Sequence, residues 1–341
     1  MKILYAVQGT GNGHLSRAMA VVPELMKFGE VDVLISGTQS QITFPFPIKF
    51  RYQGLSFIAS KSGGVNILKT LLITRPFRFW REIRSLPVAD YDLVLTDFEP
   101  ISAWACRLKG IPCIEMSHQA AVRNSLSPQT TRPFPLGRWI VKNYCPSTSA
   151  LGFHFESYSD NTYLPILRRE IIEAVPTQGT HYIVYLTGYN DAAILRILTQ
   201  VNVPFVVFSK EVKQSIQQGN CILKPISNEV FLNDLLHAKG VICGAGFELP
   251  AEALYLKKKL LVIPYSNHYE QHCNAEAVKR LGARVLYSLG QKEVSHIQDW
   301  CAENEPVTYE WKDTLSLAVQ RVITENLASS GAKAAKKAVN L

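Results

Sequence analysis

The chain has 341 residues, of which 47% are hydrophobic and 19% charged, and a formal net charge of +8. That length suits two ordinary domains better than one, and the composition supplies ample core, which excludes a disordered or fibrous chain. The positive balance favours polyanionic partners without choosing among nucleic acid, anionic lipid and phosphorylated small molecules. No CxxC pair occurs among the seven cysteines, so a zinc knuckle is not indicated and free thiols in a reducing cytoplasm are expected. No apolar run approaches the ~18 residues of a membrane span.

In chain order, the apolar run KILYAVQ (2–8) predicts a first strand. GTGNGHLSR follows directly, and then an amphipathic helix with Leu15, Ala18, Met19, Val22, Leu25 and Met26 on one face. Gly9, Gly11 and Gly13 thus lie between a strand and a helix, the context of an anion-binding loop. The spacing is GxGxG rather than GxGxxG, and Ser36, not an acid, ends the second strand VDVLISG, so a dinucleotide site is not expected. The glycines do not account for His14 in the first helical turn, where a neutral imidazole suits proton abstraction from a hydroxyl. Gly11, Asn12 and Gly13 accompany it at the strand end.

Residues 61–84 place Arg75, Arg78, Arg81 and Arg84 at every third position among Phe77, Phe79 and Trp80. Such a segment either lies on an anionic membrane surface or packs its apolar side on the core with its arginines in water. A nucleic-acid reading lacks a readout motif. YDLVLTDF (91–98) predicts a strand ending at Asp97 and Glu99, with Asp97 either orienting His14 or capping the helix near Pro100. PCIEMSH (112–118) brings His118 to another strand end, and ALGFHF (150–155) closes the first set.

Polar and proline-containing residues 161–180 separate this set from a second one: THYIVYLTG, PFVVFSK, CILKPI, KGVICGAG and KLLVIPY. Alternating strands and helices predict parallel sheets covered by helices, with ligands at the carboxyl ends of the strands and in the cleft between two domains. The expected divisions are 1–163, 164–327 and a flexible basic tail at 328–341. Gly244 and Gly246 end a strand, Pro250 fits the first turn of the next helix, and Glu252 lies near its start. Amides there can receive a diphosphate and a carboxylate can hold ribose hydroxyls; alternatively the glycines serve a tight turn. Glu270, Gln271 and Asn274 fall three and four apart and are expected on one helix face.

The motifs GTGNGHLSRA, LTDFEP, KPISNEVFLNDLLHAKGVICGAGFELPAEAL and IPYSNHYEQHCNA together resemble the GT-B glycosyltransferases, on the branch of the peptidoglycan lipid-intermediate N-acetylglucosaminyltransferase. The resemblance implies an α/β GT-B fold: two facing Rossmann-like, doubly wound parallel-sheet domains with an interdomain cleft. It implies a nucleotide-sugar donor, UDP-linked, held by the second domain, and a sugar or lipid-linked acceptor held by the first. Gly246 and Phe247 would meet the diphosphate, with Thr187 and Gly188 near the phosphates and Ile226 beside the uracil. Glu252 would hold ribose, and Glu270, Gln271 and Asn274 the sugar. His14 would face the acceptor; Glu99 and His118, from their strand-end positions, are expected on the same side. It implies inversion and no tightly bound metal, and DFE at 97–99 is not a DxD motif. Asn12 stands where the peptidoglycan enzyme usually has glycine, and MSHQAAVRNS replaces that enzyme's histidine–glutamate–glutamine pattern. Hydrolysis of a nucleotide sugar and non-catalytic binding are the competing readings.

Overall fold

A computed structural model describes residues 1–37, 44–54, 76–303 and 305–339. Its described strands form two sheets. The first runs β3-β2-β1-β4-β5-β6-β7, from β1 (Lys2–Gln8), β2 (Glu30–Ser36), β3 (Ile48–Tyr52), β4 (Leu93–Asp97), β5 (Ile114–Ser117), β6 (Ser149–Phe153) and β7 (Thr162–Tyr163). All its pairings are parallel. The second runs β10-β11-β9-β8-β12-β13-β14, from β8 (Tyr182–Tyr185), β9 (Phe205–Ser209), β10 (Ile216–Gln218), β11 (Cys221–Pro225), β12 (Gly240–Cys243), β13 (Lys259–Val262) and β14 (Arg284–Val285). Here β10 is antiparallel to β11 at one edge.

The central strands are nearly continuous apolar runs because helices cover both faces of each sheet. In β1, Ile3, Leu4, Tyr5, Ala6 and Val7 are all fully buried. Strand order reverses between β1 and β4 in the first sheet, where Val7 pairs with Asp97, and between β8 and β12 in the second, where Tyr185 pairs with Cys243. These reversals open a crevice at the carboxyl ends of the strands, and each carries the loops expected to bind ligand.

Helix α1 (Asn12–Met26) buries Leu15, Ala18, Val21, Val22 and Leu25, whereas Met26, expected on the same face, is exposed at the helix end. Helix α2 (Pro76–Ser85) contains the second part of the arginine-rich segment; residues 61–75 lie outside the described residues. It buries Ile83, pairs Arg78 with Glu82 and exposes Phe77 to solvent. The last described helix runs Leu315–Val339 and returns to the first half. Its Ala318, Val319 and Val322 are buried, Ser316 bonds Glu24 of α1, and Asn326 bonds the Asp92 carbonyl. Residues 315–327, assigned by sequence to the second domain, therefore pack on the first. Residues 328–339 continue this helix where the sequence predicts a flexible tail: alanine and lysine are strong helix formers that a polar composition masks. All seven cysteines are buried and unbridged.

Candidate active site

The loop after β1 turns at Gly11, whose φ of 91° suits glycine, and enters α1 with Gly13 and His14 in its first turn. One helical turn on, Arg17 shares the face of His14. Asp97 ends β4 beside them and is fully buried. His14 Nδ1 lies 3.0 Å from Asp97 Oδ1, and Arg17 donates to the same carboxylate from Nε (2.9 Å) and Nη2 (2.7 Å). Burial alone would raise the Asp97 pKa. The Arg17 charge, the His14 imidazole and their hydrogen bonds overcome it and hold the carboxyl below its ordinary range.

An ionised Asp97 is the acceptor that a protonated Nδ1 requires. Arg17 Nη2 also lies 3.0 Å from Nδ1, but its proton is better placed on Asp97. With Nδ1–H donating to Asp97, Nε2 keeps its lone pair, as a base must. His14 is 14% exposed, enough for contact with a substrate. The sequence left Asp97 as either orienting group or helix cap, and the cap is Glu99 instead. Its Oε1 and Oε2 accept from the Ile101 and Ser102 amides, 2.8 and 2.7 Å, at the start of α3 (Pro100–Lys109). Glu99 is fully buried with both oxygens occupied, so the structure removes it from the acceptor side.

Across the crevice, β12 leads through Gly244 and Gly246 into a helix at Glu248–Tyr255 whose amino end faces the His14 loop. Arg17 Nη1 donates to Glu248 Oε1 at 2.9 Å, and a Cβ on Gly13 would lie 2.5 Å from the Glu248 carboxyl. Gly13 thus marks where the Glu248 side chain of the second half comes closest to the loop. A Cβ on Gly246 would meet nothing within 4 Å, leaving its backbone open to the crevice. Phe247 instead buries its ring, stacked on His118 at 3.9 Å between centroids and 7° between planes. His118 bonds the Phe153 carbonyl through Nδ1 (2.8 Å) and Asn274 Oδ1 through Nε2 (2.8 Å). Burial lowers its pKa, against the pull of nearby Glu270.

In the helix Tyr269–Arg280, Glu270, Gln271 and Asn274 all meet partners at the crevice. Glu270 accepts from Gln119 Nε2 at 3.1 Å, and Asn274 is fully buried between His118 and the Ala245 carbonyl. Gln271 accepts from the Tyr265 amide at 3.0 Å, and the same oxygen lies 3.6 Å from where a Cβ on Gly244 would stand. Tyr265, which the sequence presents only as the end of the apolar run KLLVIPY, lies over Gly188 and bonds Thr187 at 2.6 Å. Ile226 is half-buried against the core. Both oxygens of Glu252 are taken by Arg168, at 2.7 and 2.8 Å, in a nearly buried bidentate pair. Ribose contact at Glu252 would have to share or displace that guanidinium. Among the described residues no three His, Cys, Asp or Glu side chains converge to hold a metal ion.

Two facing doubly wound sheets, an imidazole–carboxylate pair at one switch point and an open helix amino end at the other define a GT-B glycosyltransferase. The family model for glycosyl transferase family 1 matches residues 1–302, and the chain belongs to that family. Solved structures of similar fold include the glycosyltransferase SnogD from Streptomyces nogalater, 14% identical over 96% of this chain and 99% of that one, with a TM-score of 0.52. MurG from Acinetobacter baumannii is 13% identical over 95% and 99% (TM-score 0.55). A UDP-glucosyltransferase from Polygonum tinctorium is 12% identical over 94% and 97% (TM-score 0.60). No curated protein matches the sequence.

Proposed function

We propose that this glycosyltransferase moves a sugar from a UDP-linked donor to an acceptor hydroxyl with inversion, and that His14 is the general base. His14 Nε2 takes the hydroxyl proton, the acceptor oxygen bonds the anomeric carbon, and the bond from that carbon to the diphosphate breaks. Amides at Gly246 and Phe247 and the positive helix end then meet the charge on the departing diphosphate. The observation that carries this reading is the abutment of Gly13 and Glu248, which puts the imidazole and the anion-receiving helix end side by side. Thr187, Gly188 and Gly244 border the same phosphate space, with Ile226 at the base, Glu252 at the ribose and Glu270, Gln271 and Asn274 at the sugar. Those last contacts require the His118–Asn274 and Gln119–Glu270 bonds to yield as the lobes part and close again.

The UDP assignment is supported by the named activity of the Polygonum neighbour, and an N-acetylhexosamine donor by the motif resemblance. No tightly bound metal is part of this reading, in which the helix-end amides meet the diphosphate. No described helix is long and apolar enough to cross a membrane; contact with an anionic membrane surface through residues 61–84 is proposed from the exposed Phe77 and the arginines of α2. The test is UDP release from a panel of UDP-sugars with and without acceptor, with the product anomer read by NMR. A retained configuration would overturn single displacement. UDP release at equal rate without any acceptor would favour hydrolysis.

A further inference from the structure

Beneath the helix Pro135–Asn143 lies a cavity of about 1500 Å³, larger than the ~300–1,000 Å³ of ordinary small-molecule sites. Its lining includes Arg107, Arg123, Arg138 and Lys142, the indoles of Trp104 and Trp139, and no acidic side chain. Arg123 is neutralised by fully buried Glu115 at 2.6 Å. The other three cations form no ion pair among the described residues. Arg107 and Lys142 lie in the last turns of their helices, where the dipole favours a cation. Arg138 lies in a first turn, where the dipole opposes one, and is held over the Tyr269 ring at 5.8 Å. Trp139 beside it is 62% exposed, a large apolar surface left in water.

Ala120 and Tyr269 also line the cavity. Their chain neighbours Gln119 and Glu270 bond each other at the edge of the crevice. Gln119 is 6% exposed, and its Oε1 has no hydrogen-bond partner among the described residues. A buried acceptor atom of that kind calls for a donor.

We propose that this cavity receives the acceptor, and that the acceptor is an anionic amphiphile. Its acidic group meets Arg138 and Lys142, its apolar body lies on Trp139 and Trp104, and a hydroxyl donates to Gln119 Oε1 on its way to His14. This rests on the transfer reading above. The amphiphile is either lipid-borne or soluble, and the shared chemistry is an anion on an apolar body.

The test is a tryptophan-fluorescence titration of the full chain with octyl phosphate below its micelle concentration, beside octyl glucoside and inorganic phosphate. Saturable binding of octyl phosphate is expected, weakened about tenfold or more in the double variant Arg138→Glu/Lys142→Glu, with weaker binding of the two controls. Lys142→Glu alone, at an exposed position, gives a smaller loss in the same direction. Cosedimentation with phosphatidylcholine vesicles, with and without phosphatidic acid, separates the sources: phosphatidate-dependent capture lost in the variant marks a lipid-borne acceptor, and octyl phosphate binding without capture a soluble one. Octyl phosphate bound no tighter than octyl glucoside, or equally by the double variant, overturns the proposal. UDP binding is measured in parallel, because its absence from the wild type strikes the transfer reading and leaves the cavity result standing.

Discussion

Asp97→Asn is the sharpest perturbation of this site. The wild-type carboxylate is wholly buried and accepts three hydrogen bonds, two from Arg17 and one from His14 Nδ1. The amide keeps one acceptor oxygen, and its NH2 faces either Arg17 Nε alone or both Arg17 Nη2 and His14 Nδ1, according to which way it is turned. Arg17, 3% exposed, keeps Glu248 as its partner, so the loss should fall at the low end of the ~3–5 kcal/mol for breaking a buried pair. A loss of about 3 kcal/mol corresponds to roughly 6–12 °C in Tm. If the amide NH2 faces Nδ1, the imidazole proton moves to Nε2 and the base is lost. In another histidine–aspartate pair that reversal costs about 10⁴ in kcat, or ~5 kcal/mol of barrier. Initial rates of UDP release should therefore show kcat down by about 10³–10⁴ with donor KM within about threefold, and His14→Ala should add little to it. The pH dependence has a definite sign. Asp97 is held below its usual pKa, so its stabilisation is present above the unfolded value of about 3.9 and fades as pH falls through the lower folded value. The stability gap between wild type and variant should shrink below about pH 4. A folded Asp97→Asn protein with unchanged kcat would refute the role of His14 as an oriented base.

Other substitutions address separate contacts. Gly13→Ala sets a methyl 2.5 Å from the Glu248 carboxyl, the far end of a flexible side chain that can turn aside, so kcat/KM should fall about threefold or less; a loss of tenfold or more would mean that the loop itself cannot adapt. Glu252→Gln should raise donor KM about tenfold with kcat little changed, whereas an unchanged KM in steady-state kinetics would confine Glu252 to its pair with Arg168. Gly152→Ala puts a Cβ 2.5 Å from the Ala121 amide nitrogen, where only backbone can give way, and should cost about 2–3 kcal/mol and lower Tm by roughly 4–12 °C. A neutral Tm in differential scanning calorimetry would contradict that packing of β6.

The central strands and the residues at their ends were legible because both obey local rules. β1 is an uninterrupted apolar run, and His14 and Asp97 follow strands within a few residues. β3 was not legible: IKFRY at the sheet edge alternates between half-buried and exposed side chains and reads as polar. Glu99 was misassigned although its signal was present, an acceptor side chain directly before a proline that opens a helix. The remaining misses are matters of distance along the chain. Arg17 and Glu248 are 231 residues apart, and Arg168 and Glu252 are 84 apart. No periodicity or motif in one sequence couples such pairs. Tyr265 carries no polar pattern at all, and its place over Gly188 follows from two strand ends meeting.

The contacts that join the lobes explain why those distant pairs matter. Arg17–Glu248, His118–Asn274 and Gln119–Glu270 all cross the crevice, and all involve residues in or beside the candidate site. Each is polar, so separation exchanges it for water at little net cost, about 0.5–1.5 kcal/mol per hydrogen bond and more where a charge takes part. Apolar contact across the same crevice is made by Phe247 on His118 and Phe155, and by a second cluster that packs Val122, Val141 and Phe134 on Tyr269 and Cys273. A joint built this way can open to admit a charged nucleotide and close again. Closure returns Arg17 to Glu248 while it still holds Asp97, so the group that orients the base also senses the second lobe. On the proposed reading the base is fully braced by both halves only when they meet, which ties transfer to the exclusion of water, the competing acceptor.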